Sequence, residues 1–310
     1  MRWLERGDHG SMDYMARHGT MRSRPGELLA GTVRVISCRL DYRPLETDTV
    51  KRLKQGDKAY ISRYALGRDY HKLIRKRLSQ LAHKIESIAG GRHRAFVDSA
   101  PVLERALAEQ AGLGWIGKNT MLINRRAGSW FFLGEIYTSL PLPIDPAQTS
   151  SHCGSCRQCL DLCPTDAFRD AYQLDARKCI SYLTIENKGP IAEELRPLIG
   201  NRIYGCDDCQ LVCPWTKFTR YSSEPDFQPR NDLDKAELCQ LFSWDEDTFL
   251  KRTEGSPIRR IGHAAWLRNI AVALGNAPTS IDVIEALKTR LSHPSELVRE
   301  HVLWALEQHQ

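Results

Sequence analysis

The sequence has few of the features expected of a membrane or exported protein. No stretch of the 310 residues approaches the roughly twenty consecutive apolar residues that a membrane helix needs. The N-terminal stretch MRWLERGDHGSMDYMARHG is charged and has no apolar segment of the signal-peptide kind. We therefore expect no membrane association and a cytoplasmic location.

Two common cofactor fingerprints are also missing. No G-x-G-x-x-G follows a predicted strand, and no Walker A motif occurs, which argues against a dinucleotide Rossmann site and against a P-loop. The charge is not strongly of one sign either, because 44 Lys and Arg stand against 38 Asp and Glu, a net charge of +6. That balance permits a nucleic-acid partner without requiring one.

Cysteine, in contrast, is present in number and is clustered. The chain contains a C-x2-C-x2-C-x3-C-P run from Cys153 and a C-x2-C-x3-C-P run from Cys206. This spacing is typical of a bacterial ferredoxin that holds two [4Fe–4S] clusters. Such clustering, without an export signal, indicates metal ligands rather than disulfides. The alternative is zinc, which CxxC pairs also bind, but zinc has no use for the longer run.

The ferredoxin pattern also predicts how the ligands divide, because the fourth cysteine of each run serves the other cluster. The first cluster is expected to take Cys153, Cys156, Cys159 and Cys213. The second is expected to take Cys163, Cys206 and Cys209, which leaves one ligand missing. The usual position for it, three residues before Cys206, is Ile203, which cannot coordinate iron. By elimination, Cys179 becomes the eighth ligand.

Three parts follow one another along the chain. Residues 1–148 alternate predicted strands (32–38, 94–97, 121–123, 130–138) with predicted helices (70–88, 101–110), which favours a layered α/β domain. The Pro- and Ser-rich segment 141–151 marks a boundary, and the cysteine-rich module occupies 149–224. Residues 225–310 are predicted to be helical. A weak likeness between 269–274 and 301–306 indicates HEAT-like repeats, with an ordinary helical bundle as the alternative.

The large N-terminal part needs a role of its own. Ferredoxin-type clusters carry electrons, so we expect this part to hold a second cofactor or the substrate. Asp98 lies between a predicted strand and a predicted helix, where a carboxylate is either a helix cap or a proton donor. The Gly-rich turn at 112–120 is suited to cradling a bulky cofactor, although most such turns only join elements.

Seven segments of the chain together resemble the epoxyqueuosine reductase family. They are MDYMARHG (12–19), RVISCRLDY (34–42), YALGRDYHKLIRKRL (64–78), FVDSAPVLERALA (96–108), GWIGKNTMLI (114–123), CISYLTIENKGPI (179–191) and YGCDDCQLVCPWTKF (204–218). The helical tail also fits. Members usually carry some tens of residues before the first segment, whereas eleven precede it here, so we expect a shortened N-terminal domain.

The resemblance implies an oxidoreductase that reduces epoxyqueuosine to queuosine at the wobble position of tRNAs with GUN anticodons, the last step of queuosine biosynthesis. It implies a nitroreductase-like α/β domain that binds cobalamin, a two-cluster ferredoxin-like module, and a HEAT-like tail that holds tRNA. Low-valent cobalamin, recharged by the two [4Fe–4S] clusters, would reduce the epoxide, with Asp98 as proton donor. We further expect a monomer and an unidentified low-potential electron donor.

The same resemblance leads us to expect particular contacts. Cobalamin is expected to touch Asp98, Gly117, Lys118, Asn119, Thr120, Ser181 and Gly205. Transfer RNA is expected to touch Lys188, Lys217, Arg252, Arg259, Arg260 and Arg268. Residues 63–94 and 251–268 are rich in Lys and Arg, which suits phosphate contacts, although a charged helix face is usually only solvated. Two alternatives stay open: a cobalamin reductase of a small molecule, as in the reductive dehalogenases, and a ferredoxin-type electron carrier.

Overall fold

The computed structural model of the protein describes residues 2–44 and 49–310. The α-helices in this part of the chain are α1 (Arg2–Glu5), α2 (Tyr14–Arg17), α3 (Pro25–Leu28), α4 (Thr49–Lys54), α5 (Tyr70–Ala89), α6 (Glu104–Gln110), α7 (Gln158–Asp161), α8 (Ile180–Ile185), α9 (Arg196–Ile199), α10 (Asp208–Leu211), α11 (Leu238–Phe242), α12 (Glu246–Arg252), α13 (His263–Gly275), α14 (Ile281–Lys288) and α15 (Glu296–Glu307). The strands are β1 (Arg34–Asp41), β2 (Tyr60–Ile61), β3 (His93–Phe96), β4 (Trp115–Ile116), β5 (Leu122–Ile123), β6 (Phe131–Thr138), β7 (Phe168–Asp170), β8 (Gln173–Leu174) and β9 (Arg202–Tyr204).

The N-terminal part is built on a three-stranded antiparallel sheet in the order β1-β6-β3. The central strand β6 pairs along both edges, with Ser37 opposite Glu135 on one side and Ala95 opposite Ile136 on the other. A central strand covered on both faces reads as a nearly continuous apolar run, which is why its sequence predicted it so clearly. The predicted strands at 32–38, 94–97, 121–123 and 130–138 are confirmed to within two or three residues.

Helix α5 covers one face of this sheet. Its buried stripe, which includes Tyr70, Ile74 and Leu78, packs against inward-facing residues of β1 and β6. Gly134 allows this close approach, because a Cβ there would lie 2.7 Å from Cδ1 of Leu78. The helix ends at Gly90, whose φ of +68° is left-handed, so the helix predicted over 70–88 is confirmed. Helices α3 and α6 cover the opposite face, which completes the layered α/β arrangement.

One large core joins the three parts of the chain. Strand β2 of the N-terminal part pairs in parallel with β9 of the cysteine-rich part. The same cluster of buried apolar side chains takes in Ile61, then Ile180 and Ile203, and then Trp266 of the helical tail. Residues 141–151 lie outside helices and strands and are mostly exposed, as a linker would be. Residues 141–151 therefore form a linker, but the hydrophobic core is shared by the parts of the chain on both sides of it.

Helix α13 forms the centre of the helical tail and is buried along almost its whole length. It packs against α15, α11 and α14. Within the tail that is predicted to be helical, Gly262 adopts a φ of +78° and separates a 3-10 helix (Pro257–Ile261) from α13. No helix in the described part of the chain combines the length and the apolar character needed to cross a bilayer.

Candidate active site

A cavity of about 740 Å³ opens where several segments of the chain meet. Its walls come from residues 12–22, from the start of α5 together with the loop after β3, from α8 with its neighbours, and from residues 257–261 of the tail. Asp98, Cys179 and Ser181 all line it. A cavity of this size belongs to the class that holds cofactor-sized ligands. The structure thus brings the predicted acid, a predicted cluster ligand and a predicted cofactor contact to one place.

Asp98 does not cap a helix. Helix α6 begins only at Glu104, and its N-cap position is taken by Leu103, which makes no side-chain capping bond. Asp98 lies instead in the loop that follows β3, with its side chain 40% exposed to the cavity. The expectation of a helix start at 101 is therefore wrong by three residues, and the capping alternative for Asp98 is excluded.

Asp98 is the end of a chain of polar contacts that starts at the N-terminus of α5. One carboxylate oxygen of Asp98 contacts Nε2 of His71, and the other accepts a hydrogen bond from the Tyr70 hydroxyl. On the far side of the ring, Nδ1 of His71 lies 2.6 Å from Oδ1 of Asp69. Arg260 pairs with the second oxygen of Asp69. His71 therefore bridges two carboxylates, with only one of them facing the cavity.

The local sequence explains this geometry. Asp69 is the N-cap of α5 and accepts a hydrogen bond from the backbone N–H of His71 at 3.2 Å. The cap fixes the backbone from which Tyr70 and His71, the first two residues of the helix, project. The three residues Asp-Tyr-His therefore serve both as a helix start and as the support of Asp98.

The electrostatics of this chain of contacts favour a protonated ring. Burial alone would lower the pKa of His71, but hydrogen bonds to Asp69 and Asp98 outweigh it and raise the pKa to about 9. Burial would raise the pKa of Asp69, but the hydrogen bonds from His71 lower it to about 2. Burial and the charge of Asp98 raise the pKa of Tyr70 far above its ordinary value, so its hydroxyl stays a donor. At neutral pH, His71 is an imidazolium.

Sequence reasoning missed Asp69, Tyr70 and His71 as functional residues. The sequence pattern over residues 70–88 predicts a helix rich in Lys and Arg. His71 carries no signal of its own in that pattern. The available signal was local, namely a histidine two residues after a helix-capping aspartate. Its significance depends on Asp98, which lies in a distant segment.

The first four predicted cluster ligands come together in a second, separate pocket. Cys153, Cys156, Cys159 and Cys213 all line a volume of about 360 Å³. Burial, and then the neighbouring thiols of Cys213, Cys153 and Cys156, raise the pKa of Cys159 to about 11. Four convergent thiols match the donor set of a [4Fe–4S] cluster, which binds its ligands as thiolates.

The other four predicted ligands also lie near one another. Burial raises the pKa of the Cys209 thiol, and the next largest effects come from Cys179 and Cys163. Burial, and then the charge of Asp208, raise the pKa of the Cys206 thiol, to which Cys179 adds a smaller effect. Ile203, at the position that a ferredoxin would give to cysteine, is fully buried in the core. Among the residues that the structure describes, no three His, Cys, Asp or Glu side chains form a site for a single metal ion.

A buried carboxylate fixes the loop between Cys206 and Cys209. Asp207 is 2% exposed and accepts hydrogen bonds from the hydroxyls of Tyr60 and Ser62, both at 2.6 Å. It also accepts from the backbone N–H of Arg63 at 2.9 Å. These donors belong to β2 and the turn after it, so the N-terminal part of the chain holds the second cysteine group in position.

The Gly-rich turn lies outside the lining of the Asp98 cavity. Residues 117–120 connect β4 to β5 and are not among the described residues that line the Asp98 cavity. The Lys118 ammonium donates to the carbonyls of Gly154 at 2.7 Å and Cys156 at 2.9 Å, and the Asn119 amide donates to the carbonyl of Cys209. In the structure, the polar side chains of this turn contact the cysteine loops. The expected cobalamin contacts of Gly117, Lys118, Asn119 and Thr120 stay a prediction.

Close packing accounts for a glycine at position 205, while its expected contact with cobalamin stays a prediction. Its φ is +69°, and a Cβ would lie 2.6 Å from Cβ of Ser62. Its backbone N–H donates to the hydroxyl of Thr184 at 2.9 Å. The residue next to it, Tyr204, lines the Asp98 cavity, while Gly205 itself is not among the lining residues that the structure describes.

The six basic residues expected to contact tRNA fall into three groups. Lys188 and Arg260 are exposed and line the Asp98 cavity, and the exposed Arg252 and Arg259 lie on the same 251–260 stretch. Lys217 is exposed but borders the pocket of the first cysteine group. Arg268 is fully buried, so its expected contact with tRNA is wrong. Its position on α13, at the centre of the tail, removes it from any surface.

The buried Arg268 instead satisfies backbone carbonyls. Its guanidinium donates at 2.8 Å to the carbonyls of Leu183, Asn187 and Gly189, at and just beyond the end of α8. It also donates to the side-chain oxygen of Asn269. Burial lowers the pKa of Arg268 to about 10, which still leaves it charged at neutral pH. The residue fastens the helical tail to the cysteine-rich part.

We expect Arg268→Met to destabilise the protein without a direct effect on RNA binding. Three carbonyls, one buried and two partly buried, would lose the guanidinium donor at a cost of about 1 kcal/mol each, a total on the order of 3 kcal/mol. The thermal unfolding midpoint should fall by several degrees. The matched control is Arg252→Met on the exposed face, which should leave the midpoint unchanged. A weaker affinity for a tRNA stem-loop with an unchanged midpoint in Arg268→Met would contradict this structural role.

Two family models match the chain. The model described as "4Fe-4S double cluster binding domain" matches residues 152–216, and the model described as "Epoxyqueuosine reductase QueG, DUF1730" matches residues 22–99. The chain is 66% identical over 309 residues to the epoxyqueuosine reductase of Pseudomonas aeruginosa, covering 99% of this chain and 86% of that one. It is 56% identical over 308 residues to the enzyme of Escherichia coli, covering 99% and 80%.

Solved structures agree with these matches. A crystal structure of epoxyqueuosine reductase with a tRNA-Tyr epoxyqueuosine-modified stem loop superposes with a TM-score of 0.89 and 29% identity, covering 99% of this chain and 82% of that one. An epoxyqueuosine reductase from Bacillus subtilis, in which an aspartate-bearing catalytic loop is swung out of the active site, gives a TM-score of 0.82 at 31% identity, covering 93% and 76%.

Proposed function

Because this chain belongs to the epoxyqueuosine reductase family, we propose that the Asp98 cavity is where epoxyqueuosine in tRNA is reduced to queuosine. The observation that carries this proposal is that Asp98 and Cys179 line the same cavity. An acid and a ligand of an electron-carrying cluster are the two things that reductive opening of an epoxide requires. The substrate is the modified wobble nucleotide of tRNAs with GUN anticodons.

The overall reaction sets what the chain must supply. Two electrons and two protons enter, the epoxide oxygen leaves as water, and an alkene forms. Cobalamin, when bound, supplies a low-valent cobalt that can reduce carbon, and the two [4Fe–4S] clusters return its electrons one at a time. The volume of the cavity and the position of Cys179 in its wall fit such a cofactor. Asp98 and Ser181 are the cavity residues that we propose to contact it.

The residues around Asp98 have different roles in proton transfer. As the carbon–oxygen bond breaks, negative charge develops on the oxygen, and Asp98 passes a proton to it. That proton comes from the His71 imidazolium, whose Nε2 contacts the Asp98 carboxylate. Asp69 and Arg260 hold the ring from behind, and Tyr70 holds the second carboxylate oxygen. Because Asp98 lies in a loop between β3 and α6, movement of that loop offers a way to admit the nucleotide.

Transfer RNA is proposed to approach over the cavity mouth. Lys188 and Arg260 border the cavity, and Arg252 and Arg259 extend the basic surface along the tail. Such residues suit contacts with backbone phosphates, which carry most of the salt-dependent affinity for nucleic acids. The modified base must leave its stack to reach Asp98, as in other enzymes that act on a base. Lys217 does not belong to this surface.

Finer points of architecture belong to the same proposal. We assign residues 1–148 to a nitroreductase-like cobalamin domain, 149–224 to the two-cluster module, and 225–310 to a HEAT-like tail. The last assignment is supported by the packing of α13 against α15, which run side by side with Gly275 against Trp304. We also propose that the protein is a cytoplasmic monomer that receives its electrons from a low-potential donor.

We expect the stability contributed by His71 to depend on pH. Its raised pKa means that the folded state binds the ring proton more tightly than the unfolded state does. This contribution is fully present below about pH 6.5 and is lost as pH rises through about 9, with an upper limit on the order of 3 kcal/mol. The unfolding midpoint of the parent minus that of His71→Gln should therefore shrink between pH 7 and 10. A constant difference over that range would contradict the ion-paired imidazolium.

The test of the proposed function is nucleoside analysis. The anaerobically reconstituted protein is incubated with cobalamin, dithionite and an epoxyqueuosine-containing stem-loop, and the nucleosides are separated by mass. Conversion to queuosine is expected. In a deletion strain, epoxyqueuosine should accumulate in tRNA. Unchanged epoxyqueuosine in the first experiment, together with normal queuosine in the second, would overturn the proposal and favour a small-molecule reductase or a carrier.

A further inference from the structure

The two cysteine groups differ in what they face. Cys179 of the second group lines the Asp98 cavity, whereas the four thiols of the first group line a different pocket. If electrons leave the protein at the cavity, they must enter at the other end of the pair. The surface around Cys153, Cys156, Cys159 and Cys213 is therefore the entry side. This step rests on the proposed function.

That entry side carries exposed basic and aromatic residues. Lys217 and Phe218 border the pocket of the first group, and Nζ of Lys217 lies 4.9 Å from the centre of the Phe218 ring. Phe218 is 40% exposed, although it is large and apolar. Arg220 follows two residues later and is also exposed. An apolar ring set among cations next to a redox centre is unusual for a surface that meets only water.

A second segment adds to the same surface. Arg125 and Arg126 are exposed in the turn after β5. That turn touches the 215–219 segment, because a Cβ on Gly128 would lie 2.9 Å from Oγ1 of Thr219 and 3.0 Å from the carbonyl of Trp215. We call Arg125, Arg126, Lys217, Phe218 and Arg220 the entry surface. Two acids on neighbouring segments already have basic partners: Asp161 pairs with Arg157 at 3.4 Å, and Asp41 lies beside Arg39 and interacts with Arg220.

We propose that the entry surface docks an acidic one-electron carrier protein, of the flavodoxin or ferredoxin class. Each encounter transfers one electron: the carrier is oxidised by one electron, the first cluster is reduced by one, and no bond is made or broken. Two encounters supply one epoxide. Redox partners of this kind bind through small interfaces in which opposite charges speed the encounter. RNA is the other polyanion that such a surface could attract, but the modified base must enter the Asp98 cavity, to which the entry surface does not belong.

The experiment uses the reconstituted holoprotein and flavodoxin as the probe. The variant is Arg125→Glu/Arg126→Glu, with Arg125→Gln/Arg126→Gln as a neutral version and Lys84→Glu as a charge reversal on α5. Three quantities are measured: the Kd of oxidised flavodoxin, the rate at which reduced flavodoxin bleaches the cluster absorbance, and the Kd of a tRNA stem-loop. Iron content and the unfolding midpoint verify that each variant is intact.

The double reversal is expected to weaken flavodoxin binding and slow bleaching by about tenfold or more at low salt, with a smaller effect in the neutral version. High salt should reduce the difference, because it screens surface charges. Lys84→Glu should behave like the parent. Stem-loop affinity and dithionite-driven reduction should stay unchanged in all of them.

Two outcomes would overturn the inference. If the reversal weakens the stem-loop and leaves flavodoxin unaffected, the surface binds RNA. If neither changes, the surface docks nothing of that charge. The proposed function fails separately, because it predicts conversion of epoxyqueuosine with dithionite, a small reductant that does not need the entry surface.

Discussion

Asp98→Asn is expected to lower the rate of epoxyqueuosine reduction by about two to four orders of magnitude, the range typical of removing a general acid. The amide keeps the size of the side chain and can still accept a hydrogen bond from Tyr70, but it cannot pass on an acidic proton. Neither cysteine group involves Asp98, so the iron content should equal that of the parent, and the amide of equal size should retain cobalamin. Single-turnover conversion of a modified stem-loop with dithionite measures the effect.

A matched control separates this loss from general damage. Asp145→Asn makes the same chemical change on the exposed linker and should convert substrate at the parent rate. His71→Gln should fall between the two, because Asp98 remains but loses the cation beside it. Conversion at the parent rate by Asp98→Asn would leave the carboxylate without a role in proton transfer.

Cys179→Ala is expected to abolish turnover for a different reason. The variant removes one ligand of the second cluster, so iron should fall from about eight to about four atoms per chain. Dithionite would still reduce the remaining cluster, but the link between that cluster and the cavity would be lost. Iron analysis, the anaerobic visible spectrum and single-turnover conversion measure the three parts of this expectation.

Cys239→Ala is the control for this experiment. Cys239 lies on α11, outside both cysteine groups, and its thiol lies 3.9 Å from the carbonyl of Asp282. It should keep the full iron content and the parent rate. If Cys179→Ala also keeps about eight iron atoms per chain, the eighth ligand is another residue and the assignment by elimination is wrong.

The sequence was informative where one segment determines its own structure. The spacing of Tyr70, Ile74 and Leu78 and the glycines after them predict helix α5. The apolar run in its sequence predicts β6. The grouping of the cysteines followed from spacing as well, because the thiols in each run are held by local turns. In both cases the information lies within a few residues of the feature.

It was uninformative where function depends on a distant partner. His71 has a meaning only beside Asp98, and Arg268 only beneath the carbonyls that follow α8. Both look like ordinary charged residues of a helix face, and so Arg268 was expected at the surface. Glu135 is the converse case: it interrupts an apolar strand, yet it is fully buried in the sheet. The spacing of residues in a sequence does not predict which distant residue will contact a charged side chain.

The junction made by Arg268 limits how this enzyme can be re-engineered. A tRNA-binding domain with its own hydrophobic core can be exchanged for another. Residues 225–310, however, share one hydrophobic core with the cysteine-rich part of the chain. A foreign tail would remove the guanidinium donor from the carbonyls of Leu183, Asn187 and Gly189, a few residues from Cys179. Retargeting to other tRNAs therefore has to proceed by substitutions on the outer face of the native tail, such as at Arg252 and Arg259, and not by swapping it.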